Sequence, residues 1–416
     1  MSNIIVVGGG IIGLSSAWYL QKSGHSVTVI DKSDLNDNCS FGNMGYVCPS
    51  HFVPLASPGI IKQGLKWMLN SRSPFFVQPS LNPALLKWGL NFWRSATAAK
   101  VASAAEPLRD IALISLHEYQ MWAKEPDFEF AFTFNGLLEL FQTEKNAIHA
   151  EHLVHTAYQL GLEAVLLNAS DVQALEPQTK VNALGAILFK CDGHLYPNKL
   201  MLALRDKLKQ AGATIIGNEQ VTSFEKKNKV VTRVITHKAV YDCDELVIAT
   251  GSWSREMAAL VNIKLPLMPG RGYSFTLSNS PYSLNYPAVL MEGRVAVTPF
   301  SSSAIRFGGT MEVVPVNTPP RYQRVEGIIS AVKRFYPEFD IPFPAKQDIW
   351  YGYRPCSADG LPYLGRINTF KNVVVATGHS MLGLSLGAGT GKLVSQIVNE
   401  TETSMDLSPF AVERFK

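Results

Sequence analysis

Ile4-Ile5-Val6-Val7-Gly8-Gly9-Gly10-Ile11-Ile12-Gly13 is the stretch whose reading decides the fold. Its β-branched half predicts a short buried strand, and its glycines predict an abrupt turn. Beyond the turn the spacing becomes helical. Ile11, Leu14, Ala17 and Leu20 share an apolar face, with Ile12, Ser16, Tyr19 and Lys22 on another. Lys22 and Gly24 mark the helix end, and Ser26–Ile30 is a second β-branched run closing on Asp31. Gly8, Gly10 and Gly13 stand in the G-x-G-x-x-G register of a dinucleotide-binding unit. In that register Gly8 makes the tight turn, Gly10 lets the backbone approach a pyrophosphate, and Gly13 lets the helix lie close to the strand. The helix N-terminus turns free amides and a partial positive charge towards the phosphates. Asp31, eighteen residues after Gly13, is placed to accept hydrogen bonds from a ribose hydroxyl. A carboxylate there also disfavours a 2′-phosphate, which argues against NADP. Glycine turns occur as well where helices simply pack on sheets. Here strand, helix, second strand and acid follow in order, which favours the nucleotide. A signal peptide or membrane segment does not fit, because the run lacks a basic leader and Ser15 and Ser16 follow the turn at once.

Composition bounds the class. At 416 residues, two or three domains are expected. An apolar fraction of 46% with 17% charged residues describes an ordinary globular chain. A formal charge of +4 is too small and too evenly spread to suggest nucleic acid. Five cysteines (Cys39, Cys48, Cys191, Cys243 and Cys356) make an odd count without C-x-x-C or zinc-like spacing. A reduced intracellular compartment and no metal are therefore expected. No uninterrupted apolar run reaches the roughly 18 residues of a spanning helix. The chain reads as soluble and cytoplasmic, at most peripheral on the cytoplasmic face of the inner membrane.

Cys39 to Tyr46 forms a loop rich in small and amide residues, suited to close wrapping of a second flat or phosphorylated moiety or to an ordinary turn. Pro49, Pro54 and Pro58 carry the chain onward in extended form. Residues 60–125 read as mostly helical, with breaks at Ser73-Pro74 and Gln78-Pro79. Strands are then expected at Gly136–Phe141, Gly185–Phe189, Thr214–Ile216, Lys229–Ile235, Glu245–Ala249, Tyr273–Leu277, Val295–Pro299, Ile305–Gly309 and Val373–Ala376. Helices are expected at Glu144–Leu160, Leu200–Gln210, Gln323–Phe335 and Gly387–Glu400, and Asp192-Gly193 reads as a turn. Val247-Ile248-Ala249-Thr250-Gly251 and Val374-Val375-Ala376-Thr377-Gly378 both end in glycine, as the first strand does at Gly8. In a doubly wound sheet the strand C-termini line the ligand crevice. The three endings therefore imply a discontinuous nucleotide-binding domain with a strand-rich second domain inserted in two pieces.

These motifs resemble the FAD-dependent D-amino acid oxidase superfamily, and within it the bacterial D-amino acid dehydrogenase small-subunit type. The likeness runs through the N-terminal unit with Ser16-Ala17-Trp18-Tyr19-Leu20, Asn43-Met44-Gly45, Ala56-Ser57-Pro58-Gly59, Lys66-Trp67-Met68, Leu246–Gly251 and Gly272-Tyr273-Ser274. It continues through Gly352-Tyr353-Arg354-Pro355, Asp359-Gly360-Leu361-Pro362, and Gly378-His379 to Gly383, so essentially the whole length is covered. The resemblance implies a Rossmann-like, glutathione-reductase-type FAD-binding domain (1–50, 193–257, 350–416). It implies an interleaved α+β substrate domain on a mainly antiparallel sheet (51–192, 258–349). It implies noncovalent FAD with the flavin ring between the two. Asp31 would meet the ribose, Asn43, Met44 and Gly45 would lie near the ring, and Gly378, His379, Gly383 and Leu384 would surround its pyrimidine edge. Ile12, Lys32, Val221, Thr250, Gly251 and Trp253 complete the expected cofactor set. Some relatives attach flavin to a cysteine; Cys356 is out of register for that and reads as an unlinked thiol. The chain departs from the family at Tyr351, Tyr353 and Cys48–Phe52, sites expected from the resemblance to face substrate.

Arg354 is the expected substrate anchor, because a guanidinium presents two parallel donors to a carboxylate. Tyr273 is a second candidate through its hydroxyl, or else a core tyrosine. With carboxylate and amine fixed, hydride transfer needs orientation, and the cofactor carries the difficult chemistry. The imine product then hydrolyses to a 2-oxo acid, or stays cyclic for a proline-like or hydroxyproline substrate. His379, in a strand-to-helix turn, reads as a flavin-edge or packing residue and not as a base. An oxygen-using oxidase, a glycine oxidase and a non-catalytic flavin scaffold are the alternatives. The resemblance implies electron transfer to a quinone or another acceptor. In that light the amphipathic stretches at Ile61, Leu65 and Met68 and at Leu85, Leu86, Trp88, Leu90, Phe92 and Trp93 read as peripheral membrane contacts or as covers for a core. Lys62, Lys66 and Asn70, and Lys87, Asn91 and Arg94, supply their polar sides.

Overall fold

A computed structural model describes residues 1–68, 70, 72–301 and 303–415, and among these the side chains of Lys66 and Ser301 are not described. Lys66, counted above on a polar helix face, therefore lies outside what is described. The first sheet has six strands in the order Tyr363–Arg366, Val373–Thr377, Glu245–Ile248, Asn3–Val7, Ser26–Ile30, Thr214–Ile216. All neighbours are parallel except Tyr363–Arg366 against Val373–Thr377. Val6 pairs with Val247 and Val247 with Val374, so the three glycine-terminated strands stand side by side. Val221–Lys227, Val230–Thr236 and Val240–Asp242 form a small antiparallel sheet.

The first helix, Ile11–Lys22, is buried beyond its apolar face, although Ile12 and Tyr19 are only half-buried and Lys22 is exposed. Ser15 and Ser16 are as inaccessible as Leu14. The cause is the C-terminal helix Gly387–Val398, whose glycines admit close neighbours. A Cβ at Gly391 would lie 2.5 Å from the Ser15 carbonyl carbon, and one at Gly389 would lie 2.9 Å from Ile111 O. Ser16 satisfies its hydroxyl locally by donating to Ile12 O at 2.7 Å.

The second, mainly antiparallel sheet runs Trp350–Ser357, Leu267–Ser278, Ala304–Val313, Val295–Ser301, Ala288–Leu290, Leu137–Phe141, Gly185–Phe189, Ala164–Asn168. Phe75–Val77 joins Ala304–Val313 in parallel. Helix Gln323–Phe335 packs on this sheet, burying Ile328, Val332 and Phe335 with Phe275 and Phe307. Three expectations change. Trp350–Ser357, placed by the sequence with the nucleotide part, is an edge strand of this second sheet. Phe75–Val77, inside a stretch read as mostly helical, is a strand, because Pro74 breaks the helix and Met311–Val313 offers a pairing edge. Gly193–His194, read as the end of a turn, pairs with Tyr46–Val47.

Helices Ile60–Met68, Pro83–Ser95 and Ala98–Trp122 connect the layers. In Pro83–Ser95 the wide apolar face divides. Trp88 is buried, its indole N–H donating to Cys356 O at 3.0 Å, whereas Leu86, Leu90 and Trp93 point outward. No helix among the described residues is long and apolar enough to cross a membrane.

Candidate active site

The ends of the three adjacent strands open into a cavity of about 1280 Å³. Where the first strand ends, the wall is shaped by backbone. Gly8 has φ +111°, and a Cβ there would lie 2.4 Å from Ala249 O; one at Gly13 would lie 1.8 Å from Gly8 O. Both glycines are demanded by the protein itself. Gly10 is different, because the nearest atom to a Cβ there is Ser40 Oγ at 3.6 Å and the residue lines the cavity. The protein leaves that space open, which suits a ligand that approaches the backbone. The helix starts at Gly10 with no side-chain cap, and Ile11 N–H donates to Ser40 Oγ at 3.0 Å. A helix start facing a cavity, with only its Ile11 amide taken by a side chain, is a place for an anion. Asp31 Oδ2 accepts from Gly9 N–H at 2.6 Å, and its Oδ1 accepts from the Ser33 amide and hydroxyl at 2.7 Å each. Those bonds hold the carboxylate at the cavity edge. Lys32 lies 3.6 Å from the centre of the Trp253 ring, and both residues line the wall.

Of the other expected cofactor residues, Ile12, Asn43, Met44, Val221, Thr250, Gly251, His379, Gly383 and Leu384 line the same cavity. Gly13, Gly45 and Gly378 stand behind the wall and shape the backbone. Gly45 and Gly378 have φ +82° and +81°, and a Cβ there would lie 2.1 Å from Leu195 O and 2.8 Å from the Tyr363 ring respectively. His379 is deeply buried, its Nε2 is 3.0 Å from Thr390 Oγ1, and its Nδ1 has no partner. Burial pushes its pKa down to about 3, so the ring is neutral and a poor proton acceptor at neutral pH.

Another part of the wall is built from side chains of the second sheet. Arg354 stands opposite Gly270 on the edge strand, and its guanidinium lies across Gly272, where a Cβ would come within 2.2–2.4 Å of it. Its Nη1 donates to Thr310 O at 2.5 Å, and it pairs with no carboxylate among the described residues. Burial lowers its pKa. An arginine turned into a cavity without a counter-charge is a receptor for an anion. Behind it, Arg271 and Arg324 share the fully buried Glu312 at 2.7 and 3.3 Å, so two guanidiniums meet one carboxylate. Tyr273 donates its only proton to Glu312 Oε2 at 2.7 Å and accepts from Arg321 N–H at 2.8 Å. The expected donation from Tyr273 to a substrate carboxylate is therefore not available. Its ring lines the cavity and its hydroxyl belongs to the buried ion cluster.

Three features had no sequence signal. Thr310 and Met311 lie beside Arg354, brought there by strand register. Glu139 lines the cavity from Leu137–Phe141; burial raises its carboxyl to about 7, Asp192 adds to the rise and Arg294 opposes it. Cys48, His51 and Asp192 hold their ligating atoms within 4.8 Å of one another, although Asp192 already accepts from the Ser50 amide and hydroxyl. Cys48 and His51 fall in the segment that departs from the resembled family.

Residues 3–397 match the FAD dependent oxidoreductase (DAO) family. A D-amino acid dehydrogenase of Helicobacter pylori is 30% identical over 413 residues, covering 98% of both chains. The glycine oxidase structure from Geobacillus kaustophilus superposes with TM-score 0.80 at 21% identity, covering 100% of both chains. The L-proline dehydrogenase structure from P. horikoshii does so with TM-score 0.79 at 18% identity, covering 100% of this chain and 97% of that one. The chain belongs to the DAO family of FAD-dependent oxidoreductases, and FAD is its cofactor.

Proposed function

We propose that this flavoenzyme is a D-amino acid dehydrogenase that removes a hydride from the α-carbon and passes the electrons to a quinone-type acceptor. The observation that carries the reading is Arg354, an arginine in the cavity wall with no carboxylate partner among the described residues, backed by the excess positive charge of Arg271 and Arg324 over Glu312. The names of the full-length relatives support the D-amino acid choice.

In this reading Gly8, Gly10 and the first helix start hold the pyrophosphate, and Asp31 holds the ribose. Asn43, Met44, Thr250, Gly251, Gly383, Leu384 and the unpaired Nδ1 of His379 bound the ring, and binding is noncovalent. The six-stranded sheet forms the FAD-binding domain and the nine-stranded sheet the substrate domain. FAD supplies the hydride acceptor. Arg354 holds the substrate carboxylate and orients the substrate, and burial leaves His379 too weakly basic to act as the base. Loss of a hydride and a proton leaves an imine, which water hydrolyses to a 2-oxo acid and ammonia. For a secondary amine of the proline type the imine remains cyclic.

The electron acceptor motivates a second surface. Leu65, Leu81, Leu86, Leu90 and Trp93 are exposed, beside exposed Lys62, Lys87 and Arg94. Apolar side chains flanked by cations suit the interface of an anionic membrane holding quinone. The test is anaerobic flavin reduction by a panel of D- and L-amino acids, including proline and hydroxyproline isomers, followed by reoxidation. The expected result is bleaching by D-isomers and much faster reoxidation by a quinone analogue than by air. Bleaching by L-isomers alone would remove the D-amino acid assignment, and rapid oxidation by air with stoichiometric peroxide would make the enzyme an oxidase.

A further inference from the structure

Thr310 combines two anomalies beside Arg354. Its φ of +65° puts a β-branched side chain in the left-handed region, which such residues occupy only when their surroundings impose it. The strand register explains how it is imposed. Arg271 pairs with Glu312 and Tyr273 with Gly309, so Ala304–Val313 carries one extra residue across this step. The bulge aims the Thr310 carbonyl at Arg354 Nη1, 2.5 Å away. The second anomaly is the Thr310 hydroxyl, which is buried without a hydrogen-bond partner although the residue lines the cavity and is only 8% exposed. Backbone strain and an unsatisfied buried hydroxyl each cost free energy, and both kinds of defect concentrate where a ligand repays them. Here they share one residue, against an arginine that has no counter-charge among the described residues. Gly272 completes the arrangement, since any side chain there would occupy the space of the guanidinium.

We propose that Thr310 is a second holding point for the carboxylate of an α-amino acid: its hydroxyl donates to one carboxylate oxygen, while its carbonyl fixes the Arg354 guanidinium that takes the other. The inference rests on Arg354 as the anchor. It predicts a contact that favours a carboxylate over a neutral amide, because the guanidinium is a donor only and a carboxylate offers it a charged oxygen while a second oxygen meets the hydroxyl.

The test uses the FAD-loaded enzyme with Thr310→Val, Thr310→Ser, Thr310→Gly and Arg354→Ala. Binding is read from the change in flavin absorbance on titration with benzoate and its neutral analogue benzamide. KM and kcat are read with whichever of D-alanine, D-proline and D-methionine reduces the wild type fastest. Thr310→Val keeps the shape and removes the hydroxyl, so the benzoate Kd and KM should rise roughly 10-fold or more with a smaller change in kcat. Benzamide binding should not follow. Thr310→Ser should restore most of the binding. Thr310→Gly relaxes the left-handed backbone, so it should raise the thermal midpoint while binding benzoate as poorly as Thr310→Val. Wild-type Kd and KM in Thr310→Val, or equal loss in Thr310→Ser, would overturn the role of the hydroxyl. If Arg354→Ala weakens benzoate and Thr310→Val does not, this inference alone fails. If Arg354→Ala has no effect either, the anchor reading fails with it.

Discussion

Two parts of the cavity wall are made in different ways. The part proposed to hold the pyrophosphate and ribose comes from one contiguous stretch, Ile4–Asp31, and much of it is backbone: a positive φ at Gly8, an open face at Gly10, a helix start with no cap from its own N-cap residue. The part proposed to hold substrate is assembled from strands far apart in the chain, and its wall is side chains set by register. Arg354 faces Gly270 and Gly272, and its guanidinium meets a carbonyl at a bulge in a third strand. Backbone geometry is written in local spacing, where glycine has few alternative explanations. A side-chain anchor is written in pairings that no local spacing carries.

That contrast can be broken most sharply at the glycines. Gly10→Val should leave the apoprotein folded, because its Cβ meets nothing closer than 3.6 Å, yet should yield colourless protein. Gly13→Ala should do the reverse and destabilise the fold by about 1–3 kcal/mol, since its Cβ would strike Gly8 O. Visible spectra and thermal melts of both variants check this. Full flavin absorbance in Gly10→Val would show that the turn does not hold the cofactor.

A smaller effect is expected at the divided helix Pro83–Ser95. The enzyme should bind anionic liposomes at low salt and release them as salt rises. Leu86→Ser with Trp93→Ser should weaken that binding several-fold while leaving flavin content unchanged. Sedimentation with liposomes measures it. If the wild type does not sediment, residues 60–95 are only a cover for the core.

The smallest effect concerns Glu139. Its folded pKa of about 7 exceeds the ordinary 4.5, so between those values the folded state keeps a proton that the unfolded chain has released. Stability contributed by this group is therefore present below pH 4.5 and lost as pH rises through about 7. Glu139→Gln should gain thermal midpoint relative to wild type at about pH 8 more than at about pH 5. An equal gain at both would place the charge in water.

Much of the fold was legible. Gly185–Phe189, Thr214–Ile216 and Gln323–Phe335 have the bounds their spacing suggests. Trp350–Ser357 was not read as a strand because Gly352 and Pro355 interrupt it. A proline is tolerated there because the strand is an edge with pairing on one side. Arg354 was legible only through a family motif. Tyr273 was misread in part because its partner Glu312 lies 39 residues away, across a strand pairing. Thr310 was invisible, since a left-handed threonine follows from a bulge and not from its neighbours in sequence.

The central claim, that Arg354 receives the substrate carboxylate beside a bound flavin, is tested most directly by anaerobic reduction of Arg354→Ala. Arg354→Lys and the wild type, each matched for flavin content, serve as references. The alanine variant should stay yellow-loaded while kcat/KM for the best D-amino acid falls by about two orders of magnitude or more. Lysine should recover only part of that loss, because one ammonium cannot reproduce the fork. Near-normal reduction of Arg354→Ala would contradict the account and place the carboxylate elsewhere in the cavity.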